Sequence, residues 1–407
     1  MAVPIMKVLD NGMRVVVESQ PWNPGLSFTL LVPVGAVNDP PDRLGAASML
    51  ETWLWKGAGV RDAKAFADAL DSLGVSRASG TGVEYTTFSA SLLPEGLAAA
   101  MELYADLITR PHLPDDAFES VRMLALQELA AIEDQPSRKL MKKLRREVFT
   151  SAHGQPVEGE EETILSMTPA ALRAEYARRY GPAGSVLAVA GGVDTSEVYR
   201  LVERYFSSWS GAVSGEVPVR LSSPHRFHIQ QETEQVQIGL FYKDVPPGDY
   251  DFYAARLAAS ILSGGMSSRL FTEVREKRGL VYSVSASPGS VKGFGYLVAH
   301  AGTTPANAQE TLNVVRRVIE GLSEGVTRAE LDRAKIGLRA DLVLAGESSR
   351  ARSATLARDV FILGKPRSLE EIEAEVMDVT LDRIDLFLGR HTYDNPWIGT
   401  LGPVEVA

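Results

Sequence analysis

The segments Leu44-Gly-Ala-Ala-Ser-Met-Leu50 and Arg256-Leu-Ala-Ala-Ser-Ile-Leu262 are two copies of one pattern, 212 residues apart. Four of their seven positions are identical, and both have the apolar composition of a buried helix. Further matches follow in the same order at a shift of 212 or 213 residues, with 118–138 over 331–350 and 167–172 over 379–384. A repeat of this length is a whole domain, so the sequence predicts two homologous domains.

Each copy is predicted to begin and end with strands and to carry helices between them. The predicted elements of the first copy are a hairpin at 8–17, strands at 26–34, 86–93 and 185–190, and helices at 93–108, 116–133 and 137–149. This order predicts an α+β fold in which helices cover one face of an antiparallel-rich sheet. The stretch 207–224 is rich in Ser, Gly, Pro and Val and indicates a linker, which places the domains at 1–215 and 216–407.

Length and composition limit the classes of protein to which the chain can belong. Its 407 residues exceed the roughly 250–300 at which one hydrophobic core stops growing. No stretch reaches the roughly 18 apolar residues that span a bilayer, and the first residues lack the apolar segment of a secretory signal, so a cytoplasmic protein with no membrane partner is predicted. The absence of cysteine excludes disulfides, thiolate nucleophiles and sulfur-ligated metals. A net charge of -10 argues against a nucleic acid partner.

Most familiar catalytic motifs are absent from the sequence. The six histidines include no H-E-x-x-H or H-x-x-E-H pair, and neither a G-x-S-x-G elbow nor a phosphate-binding G-x-x-x-x-G-K-[ST] loop occurs. One apolar helical stretch does contain a polar cluster of Ser48, Glu51 and Thr52. A carboxylate in so apolar a helix is costly to bury unless it is paired. The spacing alone leaves open whether Glu51 faces solvent, caps a neighbouring element or has a chemical role.

The stretch Leu44-Gly-Ala-Ala-Ser-Met-Leu-Glu-Thr-Trp-Leu-Trp-Lys-Gly57 resembles the G-x-A-H-F-L-E-H-M-x-F-K-G block of the pitrilysin-like inverzincin peptidases, which include insulin-degrading enzyme and mitochondrial processing peptidase. In this register Ser48 and Thr52 stand where the family has its two zinc-binding histidines, and Glu51 keeps the position of the catalytic glutamate. The resemblance assigns the third zinc ligand to Glu128, 76 residues after Thr52. The likeness extends over nearly the whole chain.

The second half carries the more specific family block, Ser263-Gly-Gly-Met-Ser-Ser-Arg-Leu-Phe271 and Val274-Arg-Glu-Lys-Arg-Gly-Leu-Val-Tyr-Ser283. The resemblance places on Arg275 and Tyr282 the family's pair that holds the substrate backbone and stabilises the oxyanion. Without the resemblance, Arg275 would be interpreted as a surface charge near a helix end, with Gly279 as the C-cap.

The replaced histidines decide the function that the resemblance implies. Neutral hydroxyls are weak zinc donors, so we expect no zinc cofactor in this chain and no peptidase activity from it alone. The expected role is a non-catalytic subunit whose homologous partner carries H-x-x-E-H and zinc, with Arg275 and Tyr282 acting on an extended peptide at the partner's site. The alternatives are a pseudopeptidase that binds peptides or serves as scaffold, hydrolysis with an unusual metal at Glu51 and Glu128, and, for the isolated chain, a homodimer.

Overall fold

Two sheets with the same internal order organise the chain. The structure is a computed structural model that describes residues 3–211 and 215–406. Its compact units are each assembled from three segments. Unit 1 comprises Met1–Ala131, Gln155–Pro218 and Ala345–Leu369, and unit 2 comprises Ile132–Gly154, Val219–Leu344 and Glu370–Ala407.

Unit 1 is built on a six-stranded sheet of order β1-β2-β8-β3-β7-β6, in which only β2 and β8 pair in parallel. A short hairpin of β4 and β5 lies outside it. The strands are β1 Ile5–Val8, β2 Arg14–Ser19, β3 Leu26–Val32, β4 Gly57–Ala58, β5 Arg61–Asp62, β6 Ser76–Thr81, β7 Thr86–Leu92 and β8 Val186–Gly191. The helices of the first half of the chain are α1 Ala46–Leu54, α2 Ala63–Ser72, α3 Leu97–Thr109, α4 Asp115–Glu133, α5 Pro136–Val148, α6 Glu161–Ser166, α7 Pro169–Arg179 and α8 Thr195–Phe206.

Unit 2 is built on a five-stranded sheet of order β11-β12-β10-β13-β9, in which only β13 and β9 pair in parallel. The strands are β9 Arg226–Gln230, β10 Val236–Asp244, β11 Val281–Val291, β12 Phe294–Thr303 and β13 Trp397–Gly402. The helices of the second half of the chain are α9 Phe252–Ser263, a π-helical turn Phe271–Glu276, α10 Ala308–Glu320, α11 Arg328–Gly346, α12 Ser349–Leu363, α13 Leu369–Asp378 and α14 Leu381–Arg390.

The two sheets confirm the internal repeat. Order β6-β7-β3-β8-β2 in unit 1 matches order β11-β12-β10-β13-β9 in unit 2, with the parallel pair at the same end of each. Helix starts repeat as well, since Thr168 caps α7 and Thr380 caps α14 through the same side-chain bond to the third amide. The predicted α+β fold with antiparallel-rich sheets and helices is therefore confirmed.

One helix from each half of the chain packs in the unit of the other half. Helix α12 lies in unit 1, where Leu356 and Val360 pack with Val16 and Leu31. Val15, Val17 and Leu30 belong instead to the main core of unit 1. Because neighbouring strand residues point to opposite faces, α12 covers the face away from that core.

Helix α5 makes the reciprocal contact in unit 2. Its Leu144 and Val148 pack with Phe241 and Trp397, on the face opposite the main core around Leu240. The units therefore do not coincide with the predicted halves 1–215 and 216–407, because a segment of each half crosses over. An amphipathic pattern shows that a helix buries one side, but not which sheet receives it. Part of the predicted linker, residues 212–214, lies outside the described residues.

Small polar residues fix the position in which α12 packs on the sheet of unit 1. Ser349 and Ser353 on α12 form side-chain hydrogen bonds of 3.0 Å with Ser27 and Thr29 of β3. Beside them the guanidinium of Arg352, 1% exposed, pairs with the Glu18 carboxylate at 2.6 Å. Short hydroxyl side chains let helix and strand approach closely, and the buried ion pair defines the position along the strand.

Within residues 3–211 and 215–406, no helix combines the length and apolarity needed to cross a membrane.

Acid is expected to weaken unit 2 through Glu330, which lies in the first turn of α11. Its carboxylate accepts from Arg269 at 2.6 and 3.0 Å and from the amide and hydroxyl of Thr327 at 2.8 Å each. These bonds, those of Arg269 foremost, lower the pKa of Glu330 to about 2. The resulting stabilisation is complete above the unfolded pKa of about 4.5 and is lost as pH falls toward 2. After allowance for solvent screening it amounts to about 1–2 kcal/mol.

Urea unfolding of Glu330→Gln and of the native chain at several pH values between 3 and 7 measures the contribution of the Glu330 carboxylate to the free energy of unfolding. We expect the variant to be less stable by about 1–2 kcal/mol at pH 7, with the difference shrinking as pH falls below about 4. Glu324→Gln is the matched control, because Glu324 is an exposed carboxylate in the same unit. A Glu330→Gln difference that is the same at pH 3 and pH 7 would contradict the prediction.

Candidate functional site

Helix α1, which carries the polar cluster, is held at its start by a buried ion network. The Asp39 carboxylate accepts from the amides of Gly45 and Ala47 at 2.9 and 3.0 Å and from the guanidinium of Arg179 at 2.7 Å. Burial raises the pKa of Asp39 to about 6 although Arg179 and both amides oppose it. Glu175 also contacts Arg179, at 3.0 Å. Burial raises the pKa of Glu175, but the neighbouring Arg178, Arg179 and Arg43 outweigh burial and hold that pKa below its usual value. The bonds of Asp39 to Arg179 and to the amides of Gly45 and Ala47 therefore fix the position of the N-terminus of α1.

The predicted cluster on α1 does come together, in the half-buried part of the helix. Glu51 accepts hydrogen bonds from the hydroxyl of Ser79 and, at 3.4 Å, from that of Thr52. Thr52 also lies 3.4 Å from the carbonyl of Ser48, so its hydroxyl serves the helix itself. Glu51 is thus a half-buried carboxylate that is bonded to the edge strand of the sheet through Ser79.

Ser79 links Glu51 to an aromatic group at the edge of the sheet. The indole of Trp55 donates to the Ser79 hydroxyl at 3.0 Å, and the guanidinium of Arg77 lies 5.1 Å over the Trp55 ring. Both Arg77 and Ser79 belong to β6, the edge strand of unit 1. Sequence reasoning missed Ser79, because it lies 28 positions from Glu51 and no local pattern connects the two.

The residues present do not fit zinc. Glu128 lies on an exposed side of α4 in unit 1, and the two positions that would supply imidazoles carry hydroxyls. A structural zinc site uses four Cys, His or carboxylate ligands and a catalytic site uses three. Across 3–211 and 215–406, no three His, Asp or Glu side chains come together in a way that could hold a metal ion.

In unit 2, Arg275 lies between two aromatic rings. Its guanidinium carbon is 4.9 Å from the centre of the Phe271 ring and 5.2 Å from that of Tyr282. The π-helical turn brings Phe271 over Arg275, because about 4.4 residues per turn nearly aligns positions four apart. Sequence reasoning named Arg275 and Tyr282 but missed Phe271, although its spacing of four was a usable signal.

The N–H groups of Arg275 are not consumed by a salt bridge. The nearby Glu273 carboxylate is bonded to Lys277 at 2.6 Å and to Arg278 at 2.7 Å. Within the described part of the chain no carboxylate pairs with Arg275. Stacking on ring faces holds a guanidinium in place while leaving its in-plane donors available. Arg275 is therefore positioned to donate several hydrogen bonds to a ligand.

Tyr282 is presented to solvent by a bulge in an edge strand. Its neighbours Val281 and Ser283 pair with Thr303 and Gly302, which leaves Tyr282 as the extra residue of β11. Its side chain is 80% exposed. Bulges redirect a side chain out of the regular alternation. The C-cap of the preceding turn is Lys277 rather than the predicted Gly279, which lies two residues further on with φ of +61° and donates its amide to the Arg275 carbonyl at 2.9 Å.

Comparisons with known proteins identify relatives over the full length of the chain. Residues 14–160 match the family described as Insulinase (Peptidase family M16), and residues 166–338 match the Peptidase M16 inactive domain. The chain is 32% identical to an uncharacterized zinc protease of Mycobacterium tuberculosis, covering 98% of this chain and 93% of that protein. It is 28% identical to the uncharacterized zinc protease YmxG of Bacillus subtilis, covering 92% of each.

Two solved structures share the fold. A peptidase M16 inactive domain from Pseudomonas fluorescens superposes with a TM-score of 0.89 at 22% identity, over 99% of this chain and 98% of that one. A protease from Helicobacter pylori superposes with a TM-score of 0.91 at 20% identity, over 99% and 100%. At these identities the likeness establishes the architecture and leaves the chemistry to the residues of this chain.

Proposed function

The chain belongs to peptidase family M16, and from this membership we propose that it is the non-catalytic subunit of a two-chain zinc peptidase. The observation that carries the proposal is an asymmetry between the two units. In unit 1 the positions of the zinc-binding histidines carry Ser48 and Thr52, and Glu51 is bonded to Ser79. In unit 2 Arg275 keeps its donors available between two rings. The side chains suited to binding a peptide persist where those suited to a metal do not.

The proposed division of labour follows from this asymmetry. A homologous partner would carry H-x-x-E-H, and the zinc it binds would activate the attacking water. In this chain, Arg275 donates N–H groups to the carbonyl oxygen that becomes negative as water adds, and the exposed Tyr282 hydroxyl donates beside it. The peptide lies extended along a free strand edge, where main-chain hydrogen bonds give affinity with loose sequence preference. Strands β6 and β11 are edges of their sheets.

A second candidate function is peptide binding without cleavage. The bond between Ser79 and Glu51 suits this function as it suits the first, because neither requires Glu51 to act as a general base. Under this hypothesis the chain binds extended peptides without cleaving them, or it acts as a scaffold. The two candidates share the binding surface and differ in whether a zinc-bearing companion exists.

Purification of the chain from its native host, followed by reconstitution, tests the proposal. We expect a stoichiometric companion of similar size that contains H-x-x-E-H, and peptide hydrolysis only when both chains are mixed. After incubation with zinc and dialysis to remove the free ion, the isolated chain is expected to retain less than about one tenth of a zinc ion per chain. It is also expected to leave peptides intact. Hydrolysis by the isolated chain, or full activity of the companion alone, would overturn the subunit proposal. A chain that comes out alone and binds peptides would establish the second candidate.

A further inference from the structure

A pocket of about 330 Å³ opens in unit 2 between the end of α9, the loop that follows it and the side of α11. The residues that line it include Ser260, Ile261, Met266, Glu330, Arg333, Ile336 and Gly337. The repeat places Ser260 over Ser48, so the pocket lies on the helix that corresponds to α1 of unit 1. The proposed function makes no use of it.

Gly337 leaves the α11 wall of the pocket without a side chain. The residue lies within α11, where glycine costs about 1 kcal/mol relative to alanine. A Cβ built on Gly337 meets no atom within 4 Å, so packing within the described chain does not require the glycine. Its backbone also lies outside the left-handed region that favours glycine. The absent side chain instead lets a guest molecule approach the helix backbone.

The walls of the pocket suit an aliphatic group. Met266 is 71% exposed and Ile336 is 68% exposed, although both are large apolar side chains. Ile261, which is buried, also lines the pocket. Ligand sites combine such apolar walls with a few polar groups that fix orientation. An apolar guest would remove the exposed parts of Met266 and Ile336 from water.

The charge of the pocket favours a carboxylate. Two charged residues line it, Glu330 and Arg333. Glu330 already accepts hydrogen bonds from Arg269 and Thr327, which neutralise it. No carboxylate pairs with Arg333 in the portions 3–211 and 215–406. Arg333 is thus available for a charge-assisted bond to an anion, with Ser260 as a hydroxyl donor on the opposite wall.

We infer that this pocket binds the C-terminal residue of a peptide, with an aliphatic side chain against Met266 and Ile336 and the terminal carboxylate on Arg333. A volume near 330 Å³ lies at the lower end of ligand pockets and suits one residue rather than a long segment. The choice of a peptide over another aliphatic carboxylate rests on the proposed function. Hydrolysis adds water across a peptide bond, so the carbonyl side leaves as a new carboxylate and the nitrogen side as an amine.

Fluorescence anisotropy with the full isolated chain tests this inference. The probes are N-terminally labelled Ala-Ala-Ala-Leu with a free C-terminus and the same peptide as its C-terminal amide. We expect the acid to bind at least tenfold more tightly than the amide. Unlabelled 4-methylpentanoate separates the two sources of the ligand chemistry. Competition by this small acid as strong as that by the unlabelled peptide acid would overturn the peptide assignment.

Three variants localise the binding. Arg333→Gln is expected to abolish the preference for the acid, and Gly337→Leu to weaken binding at least tenfold by filling the pocket. Arg328→Gln is the control, because Arg328 lies on the same helix, pairs with Asp332 at 3.4 Å and does not line the pocket. Circular dichroism verifies that each variant folds. Equal binding of acid and amide, or a preference that survives Arg333→Gln, would overturn the inference.

Failure of this inference is distinguishable from failure of the proposed function. The binding assay uses the isolated chain, with no companion and with Arg275 intact. Turnover by the assembled complex and its dependence on Arg275 test the subunit role separately. Loss of turnover in Arg275→Ala together with no binding of the acid peptide would remove only the pocket.

Discussion

If the chain acts as the proposed subunit, replacing Arg275 with alanine is expected to lower kcat/KM of the reconstituted two-chain complex by about 10²–10³-fold, or about 3–4 kcal/mol of transition-state stabilisation. The guanidinium is held on the rings of Phe271 and Tyr282, so its donors are already oriented and no carboxylate must be displaced. Removing a preoriented donor to a developing oxyanion costs mainly kcat. Binding along the strand edge uses main-chain groups, so KM should change by less than about threefold.

Arg278→Ala is the matched control for this experiment. Arg278 lies three positions further along, but its guanidinium is bonded to the Glu273 carboxylate at 2.7 Å and is not available to a ligand. We expect its removal to change kcat/KM by less than about twofold. Steady-state kinetics on complexes of verified stoichiometry measures both variants. Equal small effects of Arg275→Ala and Arg278→Ala would contradict a role in trans, even if the complex itself forms.

Phe271→Leu separates the position of Arg275 from its mere presence. Leucine keeps the apolar contact with the turn but removes one of the two ring faces on which the guanidinium lies. We expect a loss in kcat intermediate between the native complex and Arg275→Ala, because the donors remain but are less well oriented.

Local sequence signals predicted the elements of this fold well. The predicted helices at 116–133 and 137–149 correspond to α4 at Asp115–Glu133 and α5 at Pro136–Val148. The side chains of Thr327 and Glu330 bond reciprocally to each other's amides at the start of α11, a local pattern that depends on a spacing of three residues. These features depend on residues within one or two helical turns, where side-chain chemistry and backbone geometry are directly coupled.

Long-range features were not predictable in the same way. The pattern of helix α12 is only weakly amphipathic, because Arg352 and Asp359 lie among its buried residues, and its place in unit 1 depends on contacts such as Arg352 with Glu18, 334 positions apart. The candidate site likewise contains residues that the sequence identified and one that only the fold reveals. The resemblance located Glu51 and Arg275, whereas Ser79 on Glu51 became visible only in the folded chain.

Replacing Arg179 with alanine is expected to destabilise unit 1 by about 3–5 kcal/mol. Arg179 and Asp39 are fully buried, and Arg179 contacts Glu175 as well. Removing one member of a buried pair leaves the others as uncompensated charges in a medium that solvates them poorly. Asp39 also accepts from two amides at the start of α1, so the loss should reach the helix that carries Glu51. Urea unfolding at pH 7.5, where Asp39 is ionised, followed by tryptophan fluorescence, measures the effect.

Arg178→Ala tests whether burial, rather than the mere number of arginines around Glu175, sets this cost. Arg178 also pairs with Glu175, but its side chain is 47% exposed, whereas that of Arg179 is fully buried. Water solvates the charges of an exposed ion pair whether or not the pair forms. We therefore expect the removal of Arg178 to lower the free energy of unfolding by less than about 1 kcal/mol. If both variants lost the same stability, the buried network would not be what fixes α1. A large difference between them would mean that the buried network of Arg179 and Asp39 supports the start of α1, the helix that carries Ser48, Glu51 and Thr52.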